Sequence, residues 1–118
     1  MKILIVDDEK ALCDSLERYL KQKGHEIISV QDYKSADEAL LVNKFDLIFL
    51  DYRLSSQHTG RDLLIHAKRL NLSTPIAVMS AYKTRDSEFD LRNLGAQYYL
   101  AKPFKLAEID KILEQVAK

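Results

Sequence analysis

Apolar residues along this chain gather into short runs and longer periodic stripes, and the two alternate from one end to the other. The runs are Ile3 to Val6, Ile27 to Val30 with Ser29 inside, Leu47 to Leu50, Ile76 to Met79, and Tyr98 to Ala101. Most are continuous, as expected of parallel strands covered on both faces. Between them, apolar positions recur at helical spacing. Leu12, Cys13, Leu16 and Leu20 form one stripe; Leu63, Leu64, Ala67 and Leu70 form another; Leu106, Ile109, Ile112, Leu113 and Val116 form the clearest. A further helix is expected around Arg85 to Leu94, with Phe89, Leu91 and Leu94 as its large apolar anchors. The pattern predicts strands and helices in strict alternation.

The residues between these elements agree. Gly24 and Gly95 each fall just after a predicted helix, where a residue of positive φ commonly ends it. Ser35 followed by Glu38 has the spacing of a capping box opening the second helix. Pro75 precedes the fourth strand, where a missing N–H does least harm. Repeated βα units imply right-handed crossovers and an open parallel sheet with helices on both faces. The expected fold is therefore α/β, a flavodoxin-like doubly wound (βα)5 with a five-stranded sheet of order 2-1-3-4-5. No repeat, linker or low-complexity tract interrupts it, and 118 residues suit one domain spanning 1–118. Its ligand site should lie outside the carboxyl ends of the strands, at the switch point between the first and third.

Composition removes several function classes. Lys plus Arg number 18 and Asp plus Glu 18, so no charge excess suggests direct nucleic-acid binding by this domain or a membrane surface. The single cysteine, Cys13, has no partner for an internal disulfide, and no Cys/His cluster has zinc spacing. The apolar start runs only from Ile3 to Val6 before Asp7, too short for a signal peptide or a membrane span. A cytoplasmic location is expected.

At the predicted ligand edge the first, third, fourth and fifth strands end on polar or charged residues. The first ends in Asp7-Asp8, the third in Asp51, the fourth in Ser80, and the fifth in Lys102-Pro103. An isolated Asp-Asp could simply cap a helix in solvent. The switch point, however, brings the first and third strands together and so gathers three carboxylates. Mutual repulsion would force protons onto some of them unless a cation is present. Oxygen-only ligands favour Mg²⁺, for which Mn²⁺ should substitute. Lys102 adds a positive charge opposite the metal, so a phosphoryl group on Asp51 would be neutralised from two sides. Asp51 is then the nucleophile.

Four segments carry a resemblance to bacterial two-component response-regulator receiver domains: Ile3-Leu4-Ile5-Val6-Asp7-Asp8-Glu9, Leu47-Ile48-Phe49-Leu50-Asp51, Met79-Ser80-Ala81, and Tyr99-Leu100-Ala101-Lys102-Pro103-Phe104. They stand in the family's order and span almost the whole chain. The resemblance implies that Asp51 is phosphoacceptor and metal ligand, that Asp8 binds the metal directly, and that Asp7 holds it largely through water. It further implies that the backbone carbonyl of Arg53 completes the ligands, that Lys102 and Ser80 contact the phosphoryl group, and that the Lys102–Pro103 peptide is cis. Ser80 and Tyr99 match the family's switch pair. A phosphoryl group brings a charge of about −1.5 to −2 and three acceptor oxygens, so Ser80 would move toward it and Tyr99 would fill the vacated space. The implied output is the surface of the fourth helix, fifth strand and fifth helix, with phosphorylation biasing a two-state equilibrium. The implied partners are a sensor histidine kinase or phosphotransfer protein, and an effector protein or attached output domain. A phosphorylation-dependent homodimer is a further form of output. Such a chain is not an enzyme toward other molecules; it catalyses only its own phosphorylation and dephosphorylation.

The sequence also departs from the family pattern. Ser55 stands where many receivers have proline, with one extra residue before Gly60, which implies a looser loop. Gln97 and Tyr98 replace common acidic residues, and Lys105 takes a position often held by an N-cap Asp, features that disfavour the charged dimer interface of winged-helix regulators. Tyr82, two residues after Ser80, would lie over the site and restrict water. His25, His58 and His66 are scattered and read as ordinary surface residues. Three other functions compete. A haloacid-dehalogenase-type phosphatase carries its nucleophile in Asp-x-Asp, unlike the adjacent Asp7-Asp8. An FMN binder needs a phosphate loop of hydroxyl and backbone donors, which Asp7 and Asp8 would oppose. A pseudo-receiver docking module would not need the intact Asp51, Ser80 and Lys102.

Overall fold

The structure, a computed structural model, describes residues 1–53, 59–81 and 85–118, with side chains outside 85–87. The expectations placed on residues 54–58, including the Ser55 loop and His58, and on Tyr82 lie outside the described residues. Strands and helices alternate as β1 (Lys2–Val6), α1 (Lys10–Gln22), β2 (Glu26–Val30), α2 (Tyr33–Val42), β3 (Leu47–Asp51), α3 (Gly60–Arg69), β4 (Ile76–Ser80), α4 (Arg85–Asn93), β5 (Tyr98–Ala101) and α5 (Leu106–Ala117). All neighbouring strands pair parallel, in the order β2-β1-β3-β4-β5.

The continuous apolar runs lie where a sheet is covered twice. Every residue of β3 and β4 is buried, whereas the edge strands β2 and β5 are half-exposed. Alternation along each strand feeds two cores. Leu4, Val6, Ile48, Leu50 and Val78 pack under α2, α3 and α4, while Ile3, Ile5, Leu47, Phe49 and Met79 pack under α1 and α5. The turns behave as their residue types require. Gly24 and Gly95 adopt φ of 91° and 110° behind α1 and α4. The carbonyl of Pro75, which needs no N–H, accepts from Ile48 at 3.0 Å and opens the β3–β4 pairing.

Three expectations need correction. Ser35 does not cap α2: the helix begins at Tyr33, and Asp32 accepts from the Ser35 N–H at 2.7 Å. The Asp32 carboxylate offers the Ser35 N–H a charged acceptor, so the helix is capped and begins before Ser35 is reached. Phe89 does not anchor α4, being 65 % exposed while Leu91 is 3 % exposed. Two residues apart on a helix are separated by about 200°, so the two cannot share a buried face. Leu91, with Leu94 half-buried just past the helix end, is what fixes α4 among its described side chains. His66 is not a plain surface residue: its Nε2 lies 2.6 Å from an Asp37 carboxylate oxygen and links α3 to α2.

Candidate functional site

Parallel register delivers the acidic residues to one edge. Val6 pairs with Leu50, so Asp7 and Asp51, each one residue further along, stand side by side. One carboxylate oxygen from each of Asp7, Asp8 and Asp51 lies within 4.8 Å of the others. On the far side of β3, Ser80 ends β4 opposite Ala101, and its carbonyl accepts from the Lys102 N–H at 2.7 Å. That bond holds the β5–α5 connection beside the acidic cluster. The Lys102 ammonium reaches inward to Asp7 Oδ2 at 2.7 Å and Asp51 Oδ1 at 3.2 Å. The Lys102–Pro103 peptide is cis.

Burial differs among the acidic residues. Asp7 is fully buried, Asp51 is 6 % exposed, and Asp8 is exposed. Burial, then the neighbouring Asp7 charge, pushes the Asp51 carboxyl up to about 6, against the pull of Lys102. Lys102 is held above the ordinary lysine range; burial opposes its charge, but the Asp7 hydrogen bond and both carboxylate fields outweigh that cost. Two of the three carboxylates, Asp7 and Asp51, thus share the Lys102 ammonium. The donor set is all oxygen, with one exposed carboxylate facing solvent, and it fits a hard divalent ion that keeps some of its water.

Asp8, Asp51, Arg53, Ser80 and Lys102 line one cleft of about 270 Å³ at this edge. Arg53 is exposed and forms an isolated antiparallel bridge with Thr59, so the chain folds back on itself just past Asp51. Ser80 is 6 % exposed at the cleft floor. Tyr99 pairs in register with Val78 and packs half-buried against the α2–α4 core, while Tyr98 turns to the α1–α5 core.

Sequence reasoning missed two fixtures of this site. The Glu9 N–H donates to Asp7 Oδ1 at 2.9 Å, an Asx-turn contact whose signal is the aspartate itself just past the strand end. Gly60 begins α3 against the end of β3: a Cβ there would collide with the Asp51 carbonyl and stand 2.8 Å from Tyr52 Cα. Its position follows from a capping box whose signal, Thr59 with Asp62, was present in the chain; Asp62 N–H donates to Thr59 at 3.3 Å and Thr59 N–H to Asp62 at 2.9 Å. Because the obstacles to a methyl at 60 are backbone atoms, Gly60→Ala is expected to cost on the order of 2–3 kcal/mol in urea denaturation, by displacing α3 or the end of β3.

Comparison with known proteins decides the family. A family model described as the response regulator receiver domain matches residues 3–114. The chain belongs to this family. Among curated relatives of this receiver, the response regulator protein PmrA of Pseudomonas aeruginosa is 34 % identical over 110 residues, covering 92 % of this chain and 49 % of that protein. The alkaline phosphatase synthesis transcriptional regulatory protein PhoP of Bacillus subtilis is 31 % identical, covering 99 % of this chain and 48 % of its own. A crystal structure of a two-component response regulator from Clostridium difficile superposes with a TM-score of 0.91 at 31 % identity, over 99 % of this chain and 95 % of that one. The receiver spans about half the length of these curated relatives. Among its described residues, no helix is long and apolar enough to cross a membrane.

Proposed function

We propose that this receiver, as one unit over residues 1–118, accepts a phosphoryl group on Asp51 in a Mg²⁺-dependent reaction and passes the change to a partner. The observation that carries this reading is the convergence of Asp7, Asp8 and Asp51 with the Lys102 ammonium at the switch point of the sheet. Asp8 and Asp51, with the carbonyl of Arg53, would hold Mg²⁺ or Mn²⁺. Asp7, whose Oδ1 already takes the Glu9 N–H and whose Oδ2 takes Lys102, suits a role through water. When bound, the cation screens the carboxylates from one another and neutralises phosphoryl oxygens.

The chain's own residues do the rest. An Asp51 carboxylate oxygen forms the bond to phosphorus while the bond to the donor's leaving atom breaks, and the electron pair of that bond departs with the donor. Lys102 sits 3.2 Å from Asp51 and is placed to leave Asp7 for a phosphoryl oxygen, with Ser80 as a second contact from the floor of the cleft. Movement of Ser80 would open space for Tyr99 on the face that α4 covers. Among its described side chains α4 rests on Leu91 and, just past its end, Leu94, and so narrow a base lets that helix shift at low cost. The partners of this reading are a sensor histidine kinase or phosphotransfer protein on the input side, and an effector protein, an attached output domain or a second copy of the chain on the output side. The domain itself catalyses its own phosphorylation and dephosphorylation, does not bind nucleic acid directly, and works in the cytoplasm.

The test is intact-mass analysis after incubation with a small acyl phosphate. The native chain should gain one phosphoryl group with Mg²⁺ or Mn²⁺ and none with excess chelator. A chain that never gains mass would be a docking module instead. For the switch, phosphorylation should move the NMR signals of Ser80, Leu91 and Tyr99 while those of Leu16 and Leu20 in α1 stay in place. Uniform or absent changes would remove the proposed output surface.

A further inference from the structure

Asp7 is fixed through all of its polar groups, and one of those fixings comes from a side chain that neither the cleft nor the proposed chemistry uses. Its N–H donates to the Val30 carbonyl at 3.1 Å, one step beyond the β1–β2 ladder. Its carboxylate oxygens take the Glu9 N–H and the Lys102 ammonium. That leaves the backbone carbonyl. In a strand the N–H and C=O of one residue point the same way, here toward β2, but β2 ends at Val30 and the chain turns into α2, capped by Asp32. The ladder offers the carbonyl nothing further. Its donor is the Cys13 thiol, 3.2 Å away on α1 and wholly buried. An ordinary cysteine thiol is protonated at neutral pH and is a weak S–H donor, so it can supply the bond this carbonyl lacks.

We infer that Cys13 is a positioning residue for the acidic nest: its S–H fixes the Asp7 peptide plane, and through that plane the direction in which the Asp7 carboxylate faces Asp8, Asp51 and Lys102. This rests on the cation-binding role proposed above. Carboxylates that meet a cation are oriented by the groups behind them, and loss of such a partner typically weakens metal binding about 10- to 100-fold. Here the partner grips the backbone of the residue and not its ligand oxygens. The effect should therefore be smaller, on the order of 3- to 10-fold.

The experiment is calorimetric titration of Mn²⁺ and Mg²⁺ into the native chain, Cys13→Ala, Cys13→Ser and Leu16→Ala. Leu16 is buried on the same face of α1, one helical turn beyond Cys13, and carries no hydrogen-bonding side-chain group, so it controls for loosened packing. Cys13→Ala should weaken binding by the stated factor, and Cys13→Ser, whose hydroxyl can donate in place of the thiol, should restore most of it. Leu16→Ala should melt at lower temperature yet bind as the native chain does. Native affinity in Cys13→Ala, or equal weakening in Leu16→Ala, would overturn the inference and leave cation binding standing. Absence of binding by the native chain would instead remove the functional reading, and this inference with it.

Discussion

Asp51→Asn is expected to abolish phosphoryl uptake outright and, in metal-free solution near pH 7.5, to raise the melting temperature by roughly 5–10 °C. The first effect follows from chemistry, because an amide lacks the anionic oxygen that must attack phosphorus. The second follows from linkage. Burial and the Asp7 charge lift the folded-state pKa of Asp51 to about 6, above the ordinary carboxylate value near 3.8. A group whose pKa rises on folding contributes its most favourable balance below the unfolded value and loses it as pH climbs through the folded one. The ionised carboxylate therefore costs on the order of 2–3 kcal/mol above about pH 6, and that cost fades toward pH 4. The neutral amide does not bear it. Thermal melts should show native and variant about 3 kcal/mol apart at pH 7.5, about 1 kcal/mol apart at pH 4.5, and nearly equal only below the unfolded carboxylate pKa. Saturating Mg²⁺ should close the gap at pH 7.5 by stabilising the native chain alone, about 2.7 kcal/mol at a hundredfold excess over its dissociation constant. A variant that is no more stable than the native chain at pH 7.5 would mean that Lys102 already relieves the carboxylates.

What could be read without coordinates was whatever depends on spacing along one element. The continuous runs of β3 and β4 announce strands covered on both sides, and βα alternation limits the sheet to few orders, so the meeting of Asp7, Asp8, Asp51 and Lys102 could be anticipated from strand ends alone. Local competition was harder to read. Asp32 and Ser35 are both residue types that suit a helix cap, and the choice turns on whether the Ser35 N–H finds an upstream acceptor, as it does at Asp32, 2.7 Å away. Phe89 counted as apolar, but only the orientation of α4 reveals that it faces solvent. Least legible were contacts between residues far apart in sequence. Gly60 matters because its backbone approaches Asp51, and Cys13 because β2 runs out beside Asp7. Such features belong to packing between elements, where residue identity says little until the neighbours are known.

Lys102→Met should destabilise the metal-free chain by about 2–3 kcal/mol at pH 7.5, and by distinctly less at pH 5. The Lys102 pKa is raised above the ordinary lysine range, so its ammonium is present in folded and unfolded chains alike between pH 5 and 8 and contributes no pH dependence of its own there. The variation comes from the carboxylates left behind. With the ammonium gone from its places 2.7 Å from Asp7 and 3.2 Å from Asp51, their mutual repulsion is unrelieved until a proton binds. Methionine preserves most of the buried stem, which keeps loss of packing small. A divalent cation can take over the ammonium's part. Mg²⁺ should therefore bind the variant on the order of tenfold more tightly than the native chain and recover most of its stability, because no fixed positive charge competes for the same oxygens. Phosphoryl uptake, by contrast, should fall steeply even at saturating Mg²⁺, since one side of the transferred group is left without a cation. Urea denaturation at both pH values, with and without Mg²⁺, separates the contributions. A loss of stability independent of pH and untouched by Mg²⁺ would reduce Lys102 to a packing residue and sever its proposed link to Asp51.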